Sequence, residues 1–83
     1  MGKTIVMVLY IHKQNKKIDI QVPLDITANE LVEALNDGFN LGINTNDIRQ
    51  CYLKTENPIA LLKGNKTIEE FKLRDGTVIN FTR

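Results

Sequence analysis

The chain has 83 residues, 42% of them apolar and 25% charged, with 11 basic against 10 acidic side chains and a formal charge of +1. Such a composition excludes a disordered tail, and the near-neutral balance lacks the cationic excess with which nucleic-acid binders neutralise phosphates. At this length one domain spanning residues 1–83 is expected, burying roughly 60–65% of the surface its unfolded chain exposes.

Thr4 to Ile11 reads TIVMVLYI, rich in β-branched and aromatic types and too short for an ordinary helix, so it predicts a central strand buried on both faces or nearly so. His12 to Lys17 is polar and turn-prone, and after it Ile18, Ile20 and Val22 alternate with Asp19 and Gln21. That pattern predicts a hairpin with one wet face, ended by Pro23, which cannot donate to a sheet ladder. Thr27-Ala28-Asn29-Glu30 has capping-box form and opens a helix of about three turns. Leu31, Ala34 and Leu35 are expected to form its inward stripe, extended by Phe39, with stop signals at Asn36-Asp37-Gly38.

Leu41 to Asp47, rich in Asn and Gly, reads as a loop, and Ile48 to Lys54 as a strand whose register is open: either Cys51 and Leu53 or Gln50 and Tyr52 point inward. Thr55 to Pro58 is a turn and Ile59 to Leu62 a short strand. A second capping box, Thr67 to Glu70, starts a helical turn carrying Ile68 and Phe71 inward. Asp75-Gly76 then turns the chain into a last strand, Thr77 to Thr82, with Ile79 and Phe81 on one face. The expected class is α+β: a mixed sheet of four to five strands with one main helix packed on one face.

Few side chains offer chemistry. Cys51 permits no internal disulfide, which fits a reducing compartment and a cytoplasmic location. Its strand-like setting reads as that of a small buried hydrophobe, not a nucleophile. His12, the one histidine, has no Asp or Cys patterned around it for a triad or a zinc site. Gly2-Lys3-Thr4 lacks the preceding strand and following helix of a phosphate loop, and Val6 stands where a myristoylation signal has Ser or Thr. The longest apolar stretch, Ile5 to Ile11, is about seven residues where a membrane helix needs roughly 20. Accordingly no catalysis, cofactor, metal, nucleic acid, small-molecule substrate or direct membrane insertion is expected.

The order of elements, the run Thr67-Ile68-Glu69-Glu70-Phe71-Lys72-Leu73 and the spacing of Ile18, Ile20, Val22 and Thr27 resemble ubiquitin and its relatives over nearly the whole chain. Ubiquitin has Thr-Leu-Ser-Asp-Tyr-Asn-Ile at the corresponding stretch, and the resemblance implies a ubiquitin-like β-grasp roll. Within that superfamily, Leu73-Arg74-Asp75-Gly76-Thr77-Val78-Ile79 is most similar to the YukD/EsaB group, small bacterial proteins that accompany type VII (WXG100/ESX) secretion systems. The last residue here is Arg83, on a strand, where a conjugated modifier presents a diglycine on a thin tail. The expected function is therefore a non-covalent adaptor or accessory protein, with a secretion-machine component as its protein partner. The rivals are a modifier or sulfur carrier lacking its tail, and an excised docking domain of a larger protein.

Ubiquitin relatives commonly bind through the sheet face away from the helix. If Ile5, Met7, Leu9 and Ile11 face the helix, then Val6, Val8 and Tyr10 line that other face, and Tyr52 extends the row if its register allows. Lys13, Lys16 and Lys17 cluster at the first hairpin loop, a solvated tip that could steer an acidic partner.

Overall fold

Alternation along the first strand decides the rest of the architecture. In the computed structural model, which describes residues 3–82, β1 (Thr4–Ile11) buries Met7, Leu9 and Ile11 on one side and turns Val6, Val8 and Tyr10 to the other. Burying those three side chains is worth about 5–9 kcal/mol before chain entropy is subtracted, enough to fix the register against a one-residue slip. A 3-10 turn at His12–Gln14, closed by Asn15 in the left-handed region, leads into β2 (Lys16–Pro23), antiparallel to β1 with Val8 opposite Asp19.

The helix α1 (Ala28–Phe39) starts at the expected box: Thr27 Oγ1 accepts from the Glu30 N–H, and Glu30 Oε1 accepts from the Thr27 N–H. Its buried stripe is Ala28, Leu31, Val32 and Leu35, with half-buried Phe39 packed against the core. Ala34, expected inward, is exposed. At about 100° per residue a stripe of i, i+3, i+4 and i+7 from Ala28 leaves position 34 on the flank and takes in Val32. The helix also runs past the expected stop. Gly38 remains helical, and Asn40 in the left-handed region supplies the end, its N–H donating to the Asn36 carbonyl. Asn36 is recruited to hold the next loop, donating to the Ile43 carbonyl (2.9 Å) and accepting from the Ile43 N–H (2.8 Å).

The segment from Ile48 departs most from expectation, because it is not yet strand. The Asp47 side chain accepts from the Arg49 N–H, and the Asp47 carbonyl accepts from the N–H groups of Gln50 and Cys51, coiling residues 47–51 into turns. This is the local competition by which Asp captures backbone donors. Only β3 (Leu53–Glu56) is extended, and it includes Thr55 and Glu56, which had read as turn. The register is also resolved: Cys51 and Leu53 are buried, and Tyr52 lies on the other side. After the turn at Asn57–Ile59 comes β4 (Ala60–Leu62), one residue shorter than expected, and then the second capping box at Thr67 and Glu70. Ile68 is fully buried there and Phe71 half-buried.

The last strand, β5 (Val78–Phe81), lies parallel to β1 and antiparallel to β3. The turn before it belongs to the same ladder: Asp75 Oδ1 accepts from the Val6 N–H, and the Gly76 N–H donates to the Val6 carbonyl. Gly76, at φ 89°, occupies the left-handed region such a turn needs. Among the described residues the sheet has five strands in the order β2-β1-β5-β3-β4, with α1 covering one face and leaving the opposite face open. This is the α+β β-grasp arrangement. Gly2 and Arg83 lie outside the described residues.

Candidate protein-interaction surface

The open face is built from alternate residues of every strand. Following the pairings across it, Val6, Val8 and Tyr10 of β1 neighbour Gln21, Asp19 and Lys17 of β2 on one side. On the other side Val8 and Tyr10 neighbour Val78 and Asn80 of β5. Asn80 meets Lys54 of β3, and Lys54 meets Leu61 of β4.

Val6, Val8 and Tyr10 thus form one row, with Val6 45% exposed and the other two half-buried. Neighbours cover part of it. The Tyr10 ring stacks on His12 with centroids 3.8 Å apart, the Lys17 ammonium sits 5.0 Å from its centroid, and its hydroxyl donates to Asn15 Oδ1. Beyond Tyr10 the face turns polar: His12 Nε2 lies 2.8 Å from Asn80 Oδ1, and Asn80 Nδ2 donates to Glu56 Oε1. Because the amide nitrogen is committed to Glu56, Asn80 presents oxygen to the ring, which makes His12 Nε2 the donor. Tyr52 therefore does not join the β1 row; Asn80 and Lys54 lie between them.

A second apolar zone was not read from the sequence. Ile59 is 90% exposed, Leu61 41% and Ile48 85%, beside Lys54, Lys63 and Arg49. An open groove of about 610 Å³ borders Lys54, Glu56, Ile59, Leu61 and Asn80, and a smaller hollow of about 360 Å³ lies among Ile48, Arg49, Tyr52, Lys54, Leu61 and Lys63. The run Ile59-Ala60-Leu61-Leu62 is apolar throughout, so nothing in it separated inward from outward positions. The one available signal was that Ile59, Leu61 and Lys63 share a parity opposite to that of buried Leu62.

For chemistry the site has little. Cys51 is buried, its Sγ 3.8 Å from Asn29 Oδ1, and His12 is an exposed loop residue held by Tyr10 and Asn80. Among the described residues no three His, Cys, Asp or Glu side chains gather in a metal-holding group, and no helix is long and apolar enough to cross a membrane. Asp47 has its carboxyl held below the ordinary range, first by the Arg49 backbone N–H and then by the Arg49 and Gln50 side chains, so it stays an anion beside Arg49.

The family model for protein YukD of the WXG100 protein secretion system (Wss) matches residues 6–80. The chain belongs to the YukD family. No curated protein matches it. Among solved structures, the C-terminal ubiquitin-like domain of mouse tubulin-specific chaperone e is similar at a TM-score of 0.70 and 12% identity, covering 99% of this chain and 90% of that one. The UBL domain of Plasmodium falciparum Dsk2 follows at 0.62 and 13%, covering 96% and 100%, and a de novo design based on ubiquitin at 0.63 and 18%, covering 95% and 87%. At these identities the likeness shows the fold alone: this YukD-family chain has a ubiquitin-like fold.

Proposed function

We propose that this YukD-family chain is a non-covalent, protein-binding accessory of a bacterial type VII secretion system, acting in the cytoplasm on a component of the secretion machine. The family match over residues 6–80 carries this reading. The open sheet face supports it, since rows of β-branched and aromatic side chains bordered by charge suit a protein interface better than a small-molecule pocket. Val6, Val8 and Tyr10 are the proposed contact row, and Tyr52 contributes from the separate zone around β3 and β4. The test is capture of the native protein from its host after mild crosslinking. Secretion components should be recovered with wild type and depleted with Val8→Lys. Recovery of none, or a native chain joined through its terminus to another protein, overturns the reading.

A further inference from the structure

The two edges of the sheet differ in a way that points to one kind of ligand. β2 ends the sheet on one side and turns Lys17, Asp19 and Gln21 outward, with Lys16 and Pro23 at its ends, the devices by which edges resist pairing. β4 ends it on the other side and turns Leu61 outward, with Ile59 and Lys63 continuing the same alternation beyond the strand. No strand pairs with the outer edge of β4 among the described residues. Across the register, Leu61 sits opposite Lys54, and the continuation of that ladder sets Lys63 beside Tyr52.

Charge is one-sided around the smaller hollow, whose described lining residues include Arg49, Lys54 and Lys63 and no carboxylate. Among the described residues the single ion pair is Arg49–Asp47, which occupies Asp47, and Glu56, which the same ladder sets beside Ile59, accepts from Asn80. Lys54 and Lys63 thus flank exposed aliphatic surface, with no carboxylate at salt-bridge distance among those residues.

We propose that this surface seats an extended, acidic segment of a partner protein, which adds alongside β4 with aliphatic side chains against Leu61 and Ile59 and carboxylates beside Lys54 and Lys63. Strand addition supplies main-chain hydrogen bonds, and alternate side chains supply selectivity. The hollow between the cations accepts a protruding side chain, which a plane of lipid headgroups does not offer. The inference deepens the reading of the chain as a non-covalent binder and rests on it.

Random peptides of about twelve residues, long enough to span a strand and its flanks, displayed on phage and panned against the full chain at low salt, provide the test. Enriched peptides should combine aliphatic residues with Asp or Glu, lose binding as salt is raised, and bind at least about tenfold more weakly to Lys54→Glu/Lys63→Glu and to Leu61→Asp. Binding to Glu33→Gln, exposed on α1 and outside both surfaces, should match wild type. No enrichment, enrichment of basic or uncharged peptides, or binders indifferent to both variants overturns the proposal. So does charge-dependent sedimentation with phosphatidylserine vesicles in place of peptide capture. Thermal midpoints monitor folding, and the single variant Lys63→Glu, outside any strand, replaces a double variant that fails to fold. Panning uses no secretion component, so its failure leaves the host-capture result standing and the two readings fail separately.

Discussion

Two neighbours on β1 offer the sharpest test of which face is which: Met7→Asp and Val8→Asp place the same side chain on opposite sides of one strand. Met7 is fully buried. Its replacement forfeits about 1.5–3 kcal/mol of burial and must either strip a carboxylate of water or hold it protonated, at a cost of several kcal/mol more. A chain of 83 residues has about 4–12 kcal/mol of net stability to lose, so Met7→Asp should be unfolded at 25 °C or close to it. Val8 is half-buried and gives up about 1 kcal/mol of burial, but its cross-strand neighbour is Asp19. A carboxylate there adds like-charge repulsion of up to about 1 kcal/mol, whereas Val8→Lys loses the same area and gains an opposite-charge pair. At about 4–8 °C per kcal/mol, Val8→Asp should melt roughly 5–15 °C below wild type and Val8→Lys roughly 2–6 °C below. Circular dichroism melts measure this, and the gap between the two Val8 variants should narrow in 1 M salt, where the Debye length falls to about 3 Å. A Val8→Lys protein as damaged as Met7→Asp, or a Met7→Asp protein that melts cooperatively near wild type, would refute the face assignment.

Thr77, fully buried, donates to the Asn57 carbonyl and accepts from the Arg74 N–H, so the near-isosteric Thr77→Val should cost about 1–3 kcal/mol in urea unfolding by stranding both partners. Thr27→Ala removes the reciprocal cap of α1 and should cost about 1 kcal/mol in the same assay. The Glu70 carboxyl is held below the ordinary glutamate range, first by the Thr67 backbone N–H, then by the Thr67 hydroxyl, with the Lys66 charge a smaller influence. A depressed folded value stabilises above the unfolded one and is lost as pH falls through the folded one. Glu70 should thus titrate below a free glutamate by NMR, and Thr67→Ala should raise its midpoint.

Legibility followed how many independent signals converged on a segment. Around β1 and β2, strand-like composition, the alternation of Ile18, Ile20 and Val22 and a polar turn agreed on a hairpin, whereas the unbroken apolar run Ile5 to Ile11 left its inward side conditional until the register was known. Both capping boxes were legible because the Thr and Glu three residues apart satisfy each other locally, whatever the rest of the fold does. The helix end was not, since Gly38 mid-helix costs only about 1 kcal/mol, less than the burial of Phe39 and the Asn40 cap together return. Residues 48–51 have strand-like composition, yet Asp47 spends its carboxylate and carbonyl on their N–H groups, a choice invisible to periodicity. Of the candidate site, the β1 row followed from the register, whereas Leu61 and Ile59 required knowledge of where the sheet ends.

That position at an edge also bears on how the two apolar zones work together. Between them runs the chain of contacts from His12 to Asn80 to Glu56, in which the Asn80 amide already has partners for both its oxygen and its nitrogen. A flat partner covering the whole face would strip water from the remaining lone pairs of Asn80 and Glu56 and offer nothing in exchange, a penalty that grows with the dryness of the interface. Contacts on either side avoid it. The β1 row is a shallow strip, partly roofed by the stacked Tyr10 and His12 and by Lys17, and suits a broad protein surface; the β4 edge suits a thin extended segment. On the proposed reading, one secretion component can therefore hold the domain by its centre while another segment occupies the edge, and the two bind without excluding each other.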